Sequence, residues 1–161
     1  CGPSTVELVR GLDARSFRLH RVLGPAHPLA EVAASLRGAV ESVLHGSNLC
    51  VISYGETSSA KSHLLLGRAG HDTMVPGLAS LVVAELFACL DTLAGAGASL
   101  EATLTATEVC GGEATDVLRT RREDRRTPLG NGAGAAAASS QTAVRLRSAR
   151  DFDRVMRVVL A

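Results

Sequence analysis

One run constrains what this chain can fold into more than any other: Cys50-Val-Ile-Ser-Tyr-Gly-Glu-Thr-Ser-Ser-Ala-Lys-Ser-His63. Leu49 to Tyr54 is a short, continuous apolar stretch, the composition expected of a strand buried on both faces. A glycine turn follows at Gly55, and Lys61-Ser62 opens a helix over Lys61 to Leu66. Strand, glycine turn and Lys-Ser helix start together make the layout of a phosphate-binding loop, G-x-x-x-x-G-K-[ST], where backbone N–H groups and a lysine surround phosphates. Gly55 stands at the first glycine, Lys61 at the lysine and Ser62 at the hydroxyl, while Ala60 occupies the position of the second glycine. Glycine serves there because the backbone approaches the phosphates closely and takes positive φ, so the Ala60 Cβ is expected to cost on the order of 1 kcal/mol or more. Glu56 adds a negative charge beside an anion site and opposes phosphate if it faces inward.

The 161 residues suit one domain with a real core. Aromatics are only 2% against 46% hydrophobic residues, so core volume has to come from Leu, Val and Ala. A net charge of +1 singles out no partner. The arginine-rich stretch Arg119 to Arg126 also holds Glu123 and Asp124, which favours a solvated loop over a nucleic-acid or acidic-protein contact. The cysteines, at 1, 50, 89 and 110, have no CxxC spacing and therefore no zinc signature. Cys50 in its apolar strand and Cys89 in an apolar helix read as buried free thiols, which suits a reducing, intracellular compartment. The best apolar stretch, Gly77 to Leu90, is short for a membrane span and contains Glu85, so no membrane segment is expected. A chain opening on Cys1 rather than Met is expected to be a piece of a longer product.

Along the chain, Val6 to Val9 and Phe17 to Leu23 read as strands joined through the polar turn Arg10 to Arg15. Apolar residues recur at helical spacing from Leu29 to Leu44, with Pro28 in the first turn and Gly46 at the stop. Gly67 to Pro76 reads as a loop. Leu78 to Leu93 reads as a helix ended by Gly95-Ala-Gly97. Leu100 to Val109 alternates as a strand with one wetter face. The segment 127–143, centred on Gly130 to Ser140, is small and low in complexity and is expected to be a mobile insertion. Asp151 to Leu160 closes as a helix. Strands alternating with helices give an α/β layered fold of the P-loop NTPase type, with a central mixed sheet flanked by helices.

Ser53-Tyr-Gly-Glu-Thr-Ser-Ser-Ala-Lys-Ser-His63 resembles the kinesin motor phosphate loop, A-Y-G-Q-T-[GS]-S-G-K-T-[HY]. Other segments follow in kinesin order. Phe17-Arg-Leu-His-Arg-Val-Leu23 resembles F-x-F-D-x-V-F, and Gly46-Ser-Asn48 resembles G-x-N. Gly77 to Phe87 resembles G-I-I-P-R and its helix, with Ser80 at the proline. Glu108 to Leu118 resembles E-I-Y-N-E-x-x-x-D-L-L, and Arg147 to Leu160 resembles the segment entering the helix before switch I. The chain thus looks like the N-terminal half of a divergent kinesin motor domain spanning 1–161. The family's R-x-R-P strand, switch I (N-x-x-S-S-R-S-H), switch II (D-L-A-G-S-E) and later microtubule-binding elements do not occur in it.

By that resemblance, ATP and Mg²⁺ are the cofactors, and Gly55, Glu56, Thr57, Ser58, Ser59, Ala60, Lys61, Ser62 and His63 surround them. Lys61 would reach the β- and γ-phosphates, the Ser62 hydroxyl would hold Mg²⁺, and the His63 ring would lie near the adenine. The partner it implies is the microtubule, and the location is the cytoplasm and cytoskeleton, with no nucleic acid and no membrane. No catalytic side chain is expected within these residues, and this stretch by itself is expected not to hydrolyse ATP at a motor's rate. Glu108 and Glu113 read as solvated strand ends rather than an acid–base pair. Two other readings stay open: a non-catalytic kinesin-like scaffold or microtubule-binding module that has lost tight nucleotide binding, and an unrelated P-loop kinase or GTPase, against which the missing N-K-x-D motif argues.

Overall fold

A computed structural model describes residues 4–57, 60–69, 74–97, 99–119, 126–128 and 141–160. Its elements run β1 (Thr5–Arg10), β2 (Asp13–Arg18), α1 (Leu29–Ser35), α2 (Arg37–Leu44), α3 (Lys61–Leu66), β3 (Gly67–Ala69), β4 (Met74–Pro76), α4 (Leu78–Gly95), β5 (Ala102–Leu104), β6 (Thr107–Cys110), β7 (Glu113–Asp116), β8 (Arg126–Pro128), β9 (Val144–Leu146) and α5 (Ala149–Leu160). Short runs of strands and helices are interspersed, a mixed α/β composition. The described strands pair antiparallel as β1-β2, β3-β4, β5-β9 and β6-β7-β8.

β1 and β2 form a hairpin closed between Arg10 and Asp13, a tighter turn than the polar stretch suggested, and β2 ends at Arg18 rather than Leu23. Gly11 at φ +64° makes this possible, because a two-residue hairpin loop needs positive φ to match the strand twist. The helix expected from Leu29 to Leu44 is broken at Leu36, whose N–H bonds to the Ala33 carbonyl at 2.9 Å in a tighter turn. α2 then restarts with Val40 N–H on the Leu36 carbonyl at 2.9 Å. Arg37 ties α2 to α4 through a forked pair with Glu85, Nε at 2.6 Å and a terminal nitrogen at 3.1 Å.

The strand expected over Leu49 to Tyr54 is not one. These residues pair with no described strand, and Ile52 and Tyr54 are 78% and 97% exposed. Composition announced burial, but a strand needs neighbours to donate to and accept from, and none of the described strands lies beside it. Cys50 is accordingly exposed rather than buried, and Cys89 half-buried. The loop expected from Gly67 to Pro76 carries the β3-β4 hairpin at its ends. The strand expected over Leu100 to Val109 is two strands, β5 and β6, in different sheets. The charged stretch ends in β8, which pairs with β7, and Arg121 to Arg125 and the low-complexity run 129–140 lie outside the described residues.

α4 runs 18 residues with a mean hydropathy of 1.7, long and apolar enough by length and composition to cross a membrane. It contacts α1, α2, α3 and α5. The core is small: Leu146, Phe152 and Met156 are buried, with Leu66, Val83, Phe87 and Leu104 packed around them. α5 begins two residues earlier than expected. Ser148 Oγ accepts the Asp151 N–H at 3.3 Å, and the Asp151 carboxylate accepts the Arg147 N–H at 2.9 Å. Ser148-Ala-Arg-Asp151 is thus a capping arrangement of the S-x-x-D kind, legible in the sequence. The Arg147 amide, ahead of an opposing desolvation, holds the Asp151 carboxyl below its ordinary pKa.

Candidate functional site

The irregular segment 47–55 leads to Gly55, and α3 begins six residues later at Lys61. Gly55, Glu56 and Thr57 are exposed; Ser58 and Ser59 lie outside the described residues. Ala60 sits immediately before the helix at φ +58°, ψ +18°, the single non-glycine with positive φ among the described residues. The backbone there takes the left-handed conformation for which the motif uses glycine, and an L-residue pays about 1–2 kcal/mol to hold it. The Ala60 carbonyl accepts the first intrahelical bond, from Leu64 N–H at 2.9 Å, so the Ser62 and His63 amides are not used by the helix.

The Lys61 ammonium donates to the Glu56 carbonyl, folding the side chain back across its own loop. This contact gives the loop a definite closure, and it is one that sequence reasoning missed: attention fell on the Glu56 carboxylate, while its main-chain oxygen makes the bond. Ser62 and His63 are both exposed on the first turn. α3 is only six residues long, so its macrodipole is modest, and the positive character of the loop rests chiefly on Lys61 and on main-chain amides. No cluster of three or more His, Cys, Asp or Glu is placed to hold a metal among the described residues.

Away from the loop, Asp116 closes a second constellation. It is buried, accepting Leu118 N–H at 3.1 Å on one oxygen and Thr142 N–H at 2.7 Å on the other. Burial pushes its pKa up, but the Thr142 and Leu118 bonds and the nearby Arg119 outweigh it, and the carboxyl lies below its ordinary value. Gln141 reinforces the joint by donating to the Thr107 hydroxyl. The two ends of the stretch between 118 and 141 are therefore pinned together beside β6 and β7. Glu108 and Glu113 do not converge as an acid–base pair: Glu113 pairs with Cys110 across the β6-β7 turn, and Glu108 with Thr115.

A lysine folded back onto the loop that follows Gly55 and a serine opening the next helix, set in an α/β chain, are the arrangement of the P-loop class of folds. The kinesin motor domain model matches residues 4–160, and the chain belongs to that family. Kinesin-like protein KIN-14O of Arabidopsis thaliana is 41% identical over 61 residues, 37% of this chain and 5% of that protein. Kinesin-like protein KIFC1 of Cricetulus griseus is 28% identical over 131 residues, 73% of this chain and 21% of that protein. A solved mutant of a kinesin motor ATPase shares the fold with a TM-score of 0.71 at 17% identity, over 93% of this chain and 45% of that one. A KIF14 dimer, in a two-heads-bound state with AMP-PNP in complex with a microtubule, matches with a TM-score of 0.62 at 18% identity, over 96% of this chain and 44% of that one. The chain thus spans less than half the length of these solved relatives and a small part of the curated ones.

Proposed function

We propose that this chain is the nucleotide-loop half of a kinesin-like motor domain, binding the phosphates of ATP with Mg²⁺ in a protein that works on microtubules. The observation that carries the reading is the loop from Gly55 to His63 at the start of α3 in a chain of the kinesin family. The donor set fits the ligand: an ammonium from Lys61, main-chain amides at the helix start, and the exposed Ser62 hydroxyl for the cation. Left-handed Ala60 keeps the backbone conformation for which the motif uses glycine. Bound Mg²⁺ would neutralise charge between the β- and γ-phosphates. Lys61 would exchange the Glu56 carbonyl for phosphate oxygens, a charge-assisted bond in place of a neutral acceptor. The microtubule partner is supported by family membership and by the KIF14 neighbour.

A second reading is favoured by Ala60 itself. Backbone strain and a Cβ where the family has none suit a kinesin-like module that has kept the fold and lost tight nucleotide binding. Titration of a fluorescent ADP with Mg²⁺ separates the two. Saturable binding lost in Lys61→Ala supports the ATP-binding motor, whereas absent binding restored by Ala60→Gly supports the decayed module. Absence in both the parent chain and Ala60→Gly, with a cooperative unfolding transition intact, would sink the nucleotide reading.

A further inference from the structure

Four residues of α5 are exposed, and three of them are arginines: Arg150, Arg154 and Arg157, with Val158 the fourth. Their i, i+4, i+7 spacing sets the arginines within about 60° of arc, one basic ridge about 10 Å long. Phe152 and Met156, on the other side of the helix, are buried in the core. The helix's own acids are committed elsewhere. Asp151 accepts the Arg147 N–H at 2.9 Å in the cap and feels the Arg154 charge without an ion pair, and Asp153 has one carboxylate oxygen buried with no partner among the described residues. No hydrogen bond or ion pair engages Arg150, Arg154 or Arg157 among the described residues. We propose that this ridge docks a short acidic helix of another protein, its carboxylates on the three guanidiniums and an apolar side chain against Val158.

Charge selects the partner. Bare sheet edges and apolar faces can be covered by the remainder of a longer chain, but arginine is almost never buried unless paired, so this ridge stays at the surface until an acid meets it. A second copy of α5 would oppose like charges. A lipid surface needs an apolar helix face to insert, and here Phe152 and Met156 already fill the core. A nucleic acid is drawn by a broad basic field and held by stacking on aromatics, whereas the whole chain carries a net charge of +1 and the exposed residue beside the ridge is Val158. An acidic, partly apolar polypeptide fits what is left. Spacing sets its form. The arginines are about 6 Å and then about 4.5 Å apart along the axis, the rise of four and three residues, and an antiparallel helix with acids at i, i+3 and i+7 repeats those steps in reverse. Three exposed pairs make a weak, salt-sensitive contact.

Fluorescence anisotropy is the test, with the whole chain titrated at low salt into a labelled helical peptide carrying glutamates at i, i+3 and i+7 and a leucine beside them. The expected result is saturable binding that weakens as salt rises and is absent from the glutamine version of the peptide. Arg154→Gln should weaken it about threefold, and Arg150→Gln, Arg154→Gln and Arg157→Gln together at least about tenfold. Arg145→Gln, at an arginine that already pairs with Glu101 at 3.4 Å, should leave it unchanged. With all three ridge arginines changed to glutamate, the chain should refuse the glutamate peptide and take its lysine counterpart, a gain that an unfolded variant would not show. No binding by the parent chain overturns the proposal. So does binding unmoved by the triple glutamine variant, an equal loss in Arg145→Gln, or no gain of the lysine peptide. Tighter binding of single-stranded DNA or of anionic vesicles through the same arginines overturns it as well.

Discussion

Gly67 and Gly77 cross backbone to backbone: a Cβ on Gly77 would stand 2.3 Å from the Gly67 nitrogen and 2.6 Å from the Leu65 carbonyl oxygen. This crossing seats the start of α4 against the end of α3, and so fixes the helix that begins at Lys61. Gly77→Ala is expected to cost about 1–3 kcal/mol by overpacking. Gly67→Ala should cost more, since Gly67 also sits at φ +83° and its Cβ would lie 2.2 Å from the Val75 carbonyl oxygen. Gly38→Ala, inside α2 with nothing within 4 Å, should gain about 0.5–1 kcal/mol. Urea unfolding of the three variants checks the order; a Gly77→Ala midpoint equal to the parent's would contradict the crossing.

Asp116→Asn should cost about 1–3 kcal/mol near neutral pH, because an amide supplies one acceptor oxygen where two main-chain donors wait. The folded carboxyl titrates below its unfolded value of about 3.9. Its contribution is therefore complete above that value and is lost as pH falls through the folded pKa. The stability gap between parent and Asp116→Asn should hold steady from about pH 7 to about pH 5 and then close below about pH 4. A gap that stays constant to the acid limit would mean that the carboxylate charge has no part in the joint.

Ser80 is buried with no hydrogen-bond partner for its hydroxyl among the described residues, at the position where the resembling family carries proline. Ser80→Ala should stabilise the chain by up to about 1 kcal/mol, since it removes a desolvated hydroxyl that gains no bond in return. Thermal unfolding reads this directly, and a lower midpoint in Ser80→Ala would show that the hydroxyl is satisfied.

Ala60→Gly should stabilise by a few tenths to about 1 kcal/mol, relieving the left-handed strain at some cost in unfolded-chain entropy. Under the proposed function the same change tightens nucleotide binding while Lys61→Ala removes it. Stability and affinity moving together would mean that the strain lies in the resting loop; a gain in affinity alone would place the Cβ against the phosphates.

Phosphate release from ATP by these 161 residues should match that of Lys61→Ala, since no N-x-x-S-S-R-S-H or D-L-A-G-S-E stretch occurs among them to order the attacking water. A malachite-green time course compares the two, and faster, Lys61-dependent release would refute this.

Much of the architecture was legible because it is local. Pro28, Gly46, Gly55 and Gly97 punctuate the chain, and the apolar spacing from Leu78 onward announced α4. Ordered motifs gave the family, since kinesin-like segments recur in sequence from Phe17 to Leu160. What misled was composition read as burial: Cys50 and Ile52 are apolar and exposed, because an apolar stretch fixes a strand's preference and not its neighbours. Short hairpins such as β3-β4 and the pairing of β5 with β9, 44 positions apart at Ala102 and Leu146, carried no local signal.

By itself the sequence determined the kinesin kinship, the helix periodicities and the identity of the loop residues, all carried by side-chain type and short-range spacing. Only the tertiary structure decided that Lys61 closes on the Glu56 carbonyl, that Ala60 holds a glycine's conformation, and that Asp116 joins β7 to Thr142. Two of these are side-chain bonds to main-chain groups and the third is a main-chain conformation. Every residue carries the same amide and carbonyl, so nothing in the order of side chains marks which of them will be met.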